Sequence, residues 1–181
     1  MDRRKNRGSA VVAVIVVLAL IGIGVGAFFF FQSRKYDPGT LENGTYTNKW
    51  AKVKITAPEG YSAETKTEGG YKFHYFIKGS NALGIGTTDT DTDVDGGIEE
   101  VKKALGSVNY AGVGVTVKDP TTQMIAGEKY KCVKIEMSAG NVRMYINIYA
   151  RKVHGNGVIA FFAMGTTPSE IDSLIYHIQR Y

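Results

Sequence analysis

The sequence predicts an α+β domain, an antiparallel β-sheet packed by two amphipathic helices, carried behind an N-terminal transmembrane helix. Three observations predict it. Ala10 to Phe31 is an uninterrupted run of apolar residues and glycine. Beyond it, stretches of strict apolar–polar alternation are joined by glycine-containing turns of hairpin length. Two later stretches, one before Gly106 and one at the C-terminus, change to helical spacing.

The apolar run spans ~33 Å at about 1.5 Å per residue, enough to cross a hydrocarbon core of about 30 Å. Arg3, Arg4, Lys5 and Arg7 precede it; Arg34 and Lys35 follow. The positive-inside rule then assigns residues 1–9 to a cytoplasmic basic tail and residues 10–31 to a single-pass signal-anchor, with the C-terminal part outside the cell. Cleavage at Val25-Gly26-Ala27 is the alternative. The run exceeds a signal-peptide core in length and continues through Phe28–Phe31, which favours the uncleaved anchor. Gly22 and Gly26 form one GxxxG pair, a spacing that lets membrane helices approach closely.

The formal net charge of +5 resides in this segment. Residues 1–35 hold six basic side chains and one acidic, and the remainder holds sixteen of each. The exported part therefore has no electrostatic case for nucleic acid. One cysteine, Cys132, excludes an intrachain disulfide, a CxxC pair and a cysteine-based zinc site.

Residues 32–44, "QSRKYDPGTLENG", read as a polar linker, which leaves 45–181 as the extracytoplasmic domain. "KVKITA" (52–57) alternates. "GYKFHYFIKG" (70–79) places Tyr71, Phe73, Tyr75 and Ile77 on one face, and Lys72, His74 and Lys78 on another that is wet or only partly covered. Gly79-Ser80 turns the chain into "NALGIGTT". Ile98, Val101 and Leu105 then recur at helical spacing, with Glu99 and Glu100 early and Lys102 and Lys103 late, as the helix dipole favours. In "AGEKYKCVKIEMSAG", Tyr130 and Cys132 share one phase while Val133, Ile135 and Met137 share the other, which predicts a β-bulge near Cys132–Val133. "NVRMYINIYARK" points Val142, Met144, Ile146, Ile148 and Ala150 inward. "VIAFFAMG" is apolar on both faces and so central. At the C-terminus, Thr167 to Glu170 forms a capping box with Pro168 at the first helical position, and Ile171, Leu174, Ile175 and Ile178 make one stripe.

"TYTNKWAKVKITAPEGY" resembles the opening of PsbP/Mog1-like domains in small exported proteins of Gram-positive bacteria, and "IAGEKYKCVKIEM" and "SEIDSLIYHI" are similar to their later hairpin and final helix. The resemblance implies an antiparallel sheet flanked by helices and a binding or accessory role. It carries over no catalytic residue.

Two candidate sites stand in the exported part. Asp91, Asp93 and Asp95, followed by Gly96 and Ile98, match the first half of an EF-hand loop, with Glu99 or Glu100 as a further donor to Ca2+. Lys102 occupies the position of the bidentate glutamate, so the leading reading is a helix cap with no cofactor. Arg143, Tyr145, Asn147, Tyr149 and Arg151 form the second candidate, a face of residue types enriched in interfaces; the competing reading is that another element covers it. His74, His154 and His177 have no ligand or catalytic spacing. The expectation is a membrane-anchored, non-enzymatic domain that binds another envelope protein or a ligand. An enzyme acting on wall or peptide material is the alternative.

Overall fold

The structure, a computed structural model, describes residues 37–68, 71–89, 93–106 and 113–181. The predicted transmembrane segment, residues 10–31, lies outside these residues. Among the described residues, no helix is long and apolar enough to cross a membrane.

The described residues form two antiparallel sheets and two helices in three layers. The large sheet runs β4 (Ser62–Glu68), β5 (Tyr71–Lys78), β6 (Asn81–Asp89), β11 (Gly157–Gly165), β10 (Val142–Lys152), β9 (Glu128–Ala139) and β7 (Val113–Val117), with β8 (Thr121–Ile125) also paired to β9. The small sheet runs β1 (Thr40–Glu42), β2 (Thr45–Asn48), β3 (Val53–Thr56) and β12 (Ile178–Arg180). Helix α1 (Val94–Gly106) covers one face of the large sheet. The small sheet and helix α2 (Pro168–Tyr176) cover the other.

Each face has its own core. Val94, Ile98 and Val101 of α1 pack on Val133, Ile135, Met144, Ile146, Val158 and Phe162. On the other face, Tyr46, Val53 and Ile55 join Ile171, Leu174 and Ile178 over Phe76, Leu83, Tyr130, Tyr149 and Phe161. Strand β11 is buried along its whole length because both its faces are covered, as its uniform apolarity predicts.

The turns follow the sequence closely. Gly79-Ser80 joins β5 to β6 with Lys78 opposite Asn81. Ala126-Gly127 joins β8 to β9 with both residues at positive φ, 51° and 81°, the geometry whose twist suits a two-residue hairpin.

Four expectations need correction. First, β9 contains no bulge against β10: the pairing runs without interruption from Ala139–Val142 to Lys131–Ala150. Cys132 and Val133 are both buried because they point into different cores. The irregularity lies on the opposite side of β9, where Val117 faces Ile135 and Thr121 faces Cys132. Four steps along β7–β8 oppose three on β9, so the extra residue falls within Lys118-Asp119-Pro120. Proline, with no N–H to donate, suits an edge position there.

Second, residues 37–44 are part of the fold and not of a linker: β1 pairs with β2, and backbone from Asp37 onward is hydrogen-bonded into the domain. Third, His74 is 3 % exposed and lies on a covered face. Fourth, the final helix ends at Tyr176, with His177 as its C-cap. Ile178 keeps its place in the core as the first residue of β12, opposite Ile55.

Candidate interaction site

The small sheet and α2 do not cover the whole of their face of the large sheet, and this divides the row on β10. Tyr149 is fully buried, and Asn147 is buried beside it with its amide donating to the Tyr149 hydroxyl at 2.8 Å. Burial raises the Tyr149 phenol well above its ordinary range, against the lowering effect of the Asn147 bond. Cys132 lies directly across from Tyr149, and burial pushes its thiol up to about 11. These are interior groups.

Arg151 is half-buried. Its Nη2 donates to the Ala51 carbonyl at 2.5 Å and its Nη1 to the Lys152 carbonyl at 3.2 Å. The guanidinium stands 5.3 Å from the centre of the Tyr130 ring, within cation–π range. It ties β10 to the β2–β3 turn. At the other end of the row, Arg143 is exposed and Tyr145 half-buried. Together with Thr116, Glu136 and Ser138 they line a shallow cleft beyond the edge of the covering layer. Glu136 pairs with Lys118 at 2.9 Å. Of the five residues read as one interaction face, Arg143 is exposed, Tyr145 and Arg151 are half-buried at opposite ends of the row, and Asn147 and Tyr149 are interior.

In the acidic stretch, Asp93 caps α1. Its Oδ1 accepts from the Gly96 amide at 2.6 Å, and its carbonyl accepts from the Gly97 amide at 3.0 Å. Asp95 pairs with Lys131 at 2.9 Å. Lys102, at the position where a calcium loop needs a carboxylate, pairs with Asp119 at 2.7 Å. Asp91 lies outside the described residues. Among the described residues, no three of His, Cys, Asp and Glu converge as a metal site would require.

A third cluster gave no sequence signal. Where the described chain begins, the Asp37 carbonyl accepts from Asn48 Nδ2 and from Thr87 Oγ1, both at 2.9 Å. The Pro38 carbonyl accepts from His74 Nε2 at 3.0 Å and from the Tyr46 hydroxyl at 3.2 Å. Asn48 also accepts from the Ala51 amide at 2.7 Å. Because Pro38 offers only an acceptor, the His74 proton is on Nε2, and Nδ1 accepts from Thr65 Oγ1 at 2.9 Å. Burial lowers the His74 pKa, partly offset by the Pro38 bond. Side chains from β2, β5 and β6 thus hold two consecutive backbone carbonyls, and Thr65 of β4 holds the histidine.

No family model matches the chain, and no curated protein matches it. Solved structures do. The chain is similar to cyanobacterial PsbP (CyanoP) from Synechocystis sp. PCC 6803, with a TM-score of 0.51 at 12% identity over 81% of this chain and 98% of that one. It is also similar to LpqN of Mycobacterium tuberculosis, described as involved in cell envelope biogenesis, with a TM-score of 0.46 at 11% identity over 79% and 85%. The chain has a PsbP-like fold.

Proposed function

We propose that the chain is a single-pass membrane protein with its N-terminus in the cytoplasm, whose PsbP-like domain works outside the membrane as a non-enzymatic binding or accessory module of the cell envelope. The observation that carries the reading is the apolar run from Ala10 to Phe31, with four basic residues before it, two after it, and an electrically balanced domain beyond. Two of the domain's reactive groups are held as interior structural groups, which is consistent with a binding role. Both ring nitrogens of His74 are engaged, and Cys132 is a buried thiol. The exposed Arg143 end of β10 is the surface we assign to a partner protein. Arginine and tyrosine are residue types that dominate interface energetics.

The test is protease treatment of intact cells carrying the full chain tagged at its C-terminus. Loss of the tagged domain, with a short membrane-embedded remnant, is the expected result. Full protection of the domain overturns the topology. In-cell crosslinking from position 143 then asks for the partner.

A further inference from the structure

Granted the anchor proposed above, the place where the domain receives its chain fixes which of its surfaces meets the bilayer. The apolar run ends at Phe31, and among the described residues the first held backbone group is the Asp37 carbonyl. Six residue steps span at most about 21 Å. A domain of 145 residues has a radius of gyration of about 15 Å and is roughly 40 Å across. A tether shorter than the domain is wide cannot let every face turn toward the lipid. The end around Asp37 stays next to it.

Three segments gather at that end. Asn48, which holds Asp37, opens the β2–β3 turn, so Lys49, Trp50 and Lys52 lie beside the incoming chain. Arg151 bonds the Ala51 carbonyl, and the Trp50 ring lies so close on Gly157 that a Cβ there would overlap it, which brings the β10–β11 turn with Lys152 alongside. The Tyr181 amide donates to the Lys52 carbonyl at 3.0 Å, which adds Arg180. Lys49, Lys52, Lys152 and Arg180 are all exposed, and no carboxylate of the described residues pairs with them. Asp37 and, across from Gly157, Asp89 are acidic residues that the backbone places at this end. Asp93 and Asp95 start α1 near the same end of the large sheet but on its opposite face, Asp93 as the cap and Asp95 paired with Lys131.

We infer that this end, through Lys49, Trp50, Lys52, Lys152 and Arg180, docks on an anionic phospholipid surface. Free cations near an anionic lipid surface gain from its negative potential, and a half-buried tryptophan at headgroup depth is an arrangement that bilayer interfaces favour. Docking would hold the domain in one orientation, with the Arg143 cleft away from the membrane: the β9–β10 turn beside Arg143 and the β10–β11 turn lie at opposite ends of β10.

Trp50 is the chain's only tryptophan, so its fluorescence reports this contact alone. The full chain is reconstituted into vesicles of phosphatidylcholine with or without phosphatidylglycerol. Both carry a phosphatidylcholine with a nitroxide on its headgroup. Carbonate-resistant flotation measures insertion independently. Strong Trp50 quenching is expected in phosphatidylglycerol vesicles. It should fall at least twofold in pure phosphatidylcholine, at high salt, and in the variant Lys49→Glu/Lys152→Glu/Arg180→Glu. Should that variant misfold, the salt and lipid arms on the unmodified chain decide. An inserted chain whose Trp50 is unquenched in both lipids, or quenched equally in both, overturns the docking and leaves the anchor standing. A chain that does not insert overturns both.

Discussion

The Nε2 of His74 donates to the carbonyl of Pro38 at 3.0 Å, joining the middle of β5 to the chain 36 positions earlier. The ring is buried and leans on Tyr46 at 5.0 Å between centres. Two partners share its nitrogens and none is a carboxylate.

That environment favours the neutral ring, so the His74 pKa is lower in the folded than in the unfolded chain. Below the unfolded value, about 6.5, the unfolded chain takes up a proton that the folded one resists. The stabilisation is present in full above about pH 6.5 and is lost as the pH falls toward the lower folded value. Thermal melts should show a falling melting temperature between about pH 7.5 and 5.5. His74→Gln should flatten that slope. An equal slope in both proteins would remove His74 as its cause.

Asn48 bridges the Asp37 carbonyl and the Ala51 amide from a fully buried position. Asn48→Ala leaves buried groups without partners, a loss of about 1–3 kcal/mol for such groups. Urea unfolding should report it. Proteolysis should also cut near Asp37 sooner than in the parent, because the clamp has opened there. Asn43→Gly, in an exposed turn at positive φ, serves as the local comparison.

Asp93 already accepts from a backbone amide, and Asp95 is paired. A calcium ion would have to displace both interactions. Millimolar calcium should therefore move the melting temperature no more than magnesium does. A filled site at 100 times its dissociation constant would add about 2.7 kcal/mol, which a melt resolves easily. Asp93→Ala should cost about 1 kcal/mol through loss of the cap. Asp95→Ala should cost less, since its ion pair is exposed.

Gly84 lies directly across from Phe162, and a Cβ there would stand 1.8 Å from the ring. The ring is fixed in turn by Tyr75, edge-on at 5.7 Å. Gly84→Ala should destabilise by about 1–3 kcal/mol through overpacking. Gly114→Ala meets the movable Ser138 hydroxyl at 2.8 Å at an exposed position and should be close to neutral. Chemical denaturation of the pair tests the contrast.

Sequence periodicity reached the parts of the fold where one rule acts alone. β10 alternates, β11 is apolar throughout, and Thr167, Pro168 and Glu170 announce α2: Thr167 Oγ1 accepts from the Glu170 amide at 3.4 Å, and the Glu170 carboxylate accepts from the Thr167 amide at 2.9 Å. Hydrogen bonds from Asn81, Thr166 and Thr167 lower the Glu170 pKa to about 2. β4 was missed because it is a polar edge strand with no apolar alternation to read. The phase change on β9 imitates a bulge because a strand covered on both faces buries both its phases. On β5, Phe76 beside His74 was the available sign that the second face is covered. The divided row on β10 depends on where the small sheet stops, a non-local property with no signature in its five residues. The clamp on Asp37 and Pro38 uses backbone carbonyls, which carry no residue identity to read.

The small sheet brings the start and the finish of the domain to the same end. Asp37 is held by Asn48 at the close of β2, and Tyr181 by Lys52 just before β3. Such a chain is a closed loop in all but one covalent joint. A short glycine–serine bridge from Tyr181 to Asp37, with new termini cut into the Gly140–Asn141 turn, would keep each strand pairing except the continuity of that hairpin. The order in which the ribosome delivers these elements is then a separate matter from their arrangement in space. The same permutation would move the attachment of any membrane anchor to the far end of the domain and turn it over.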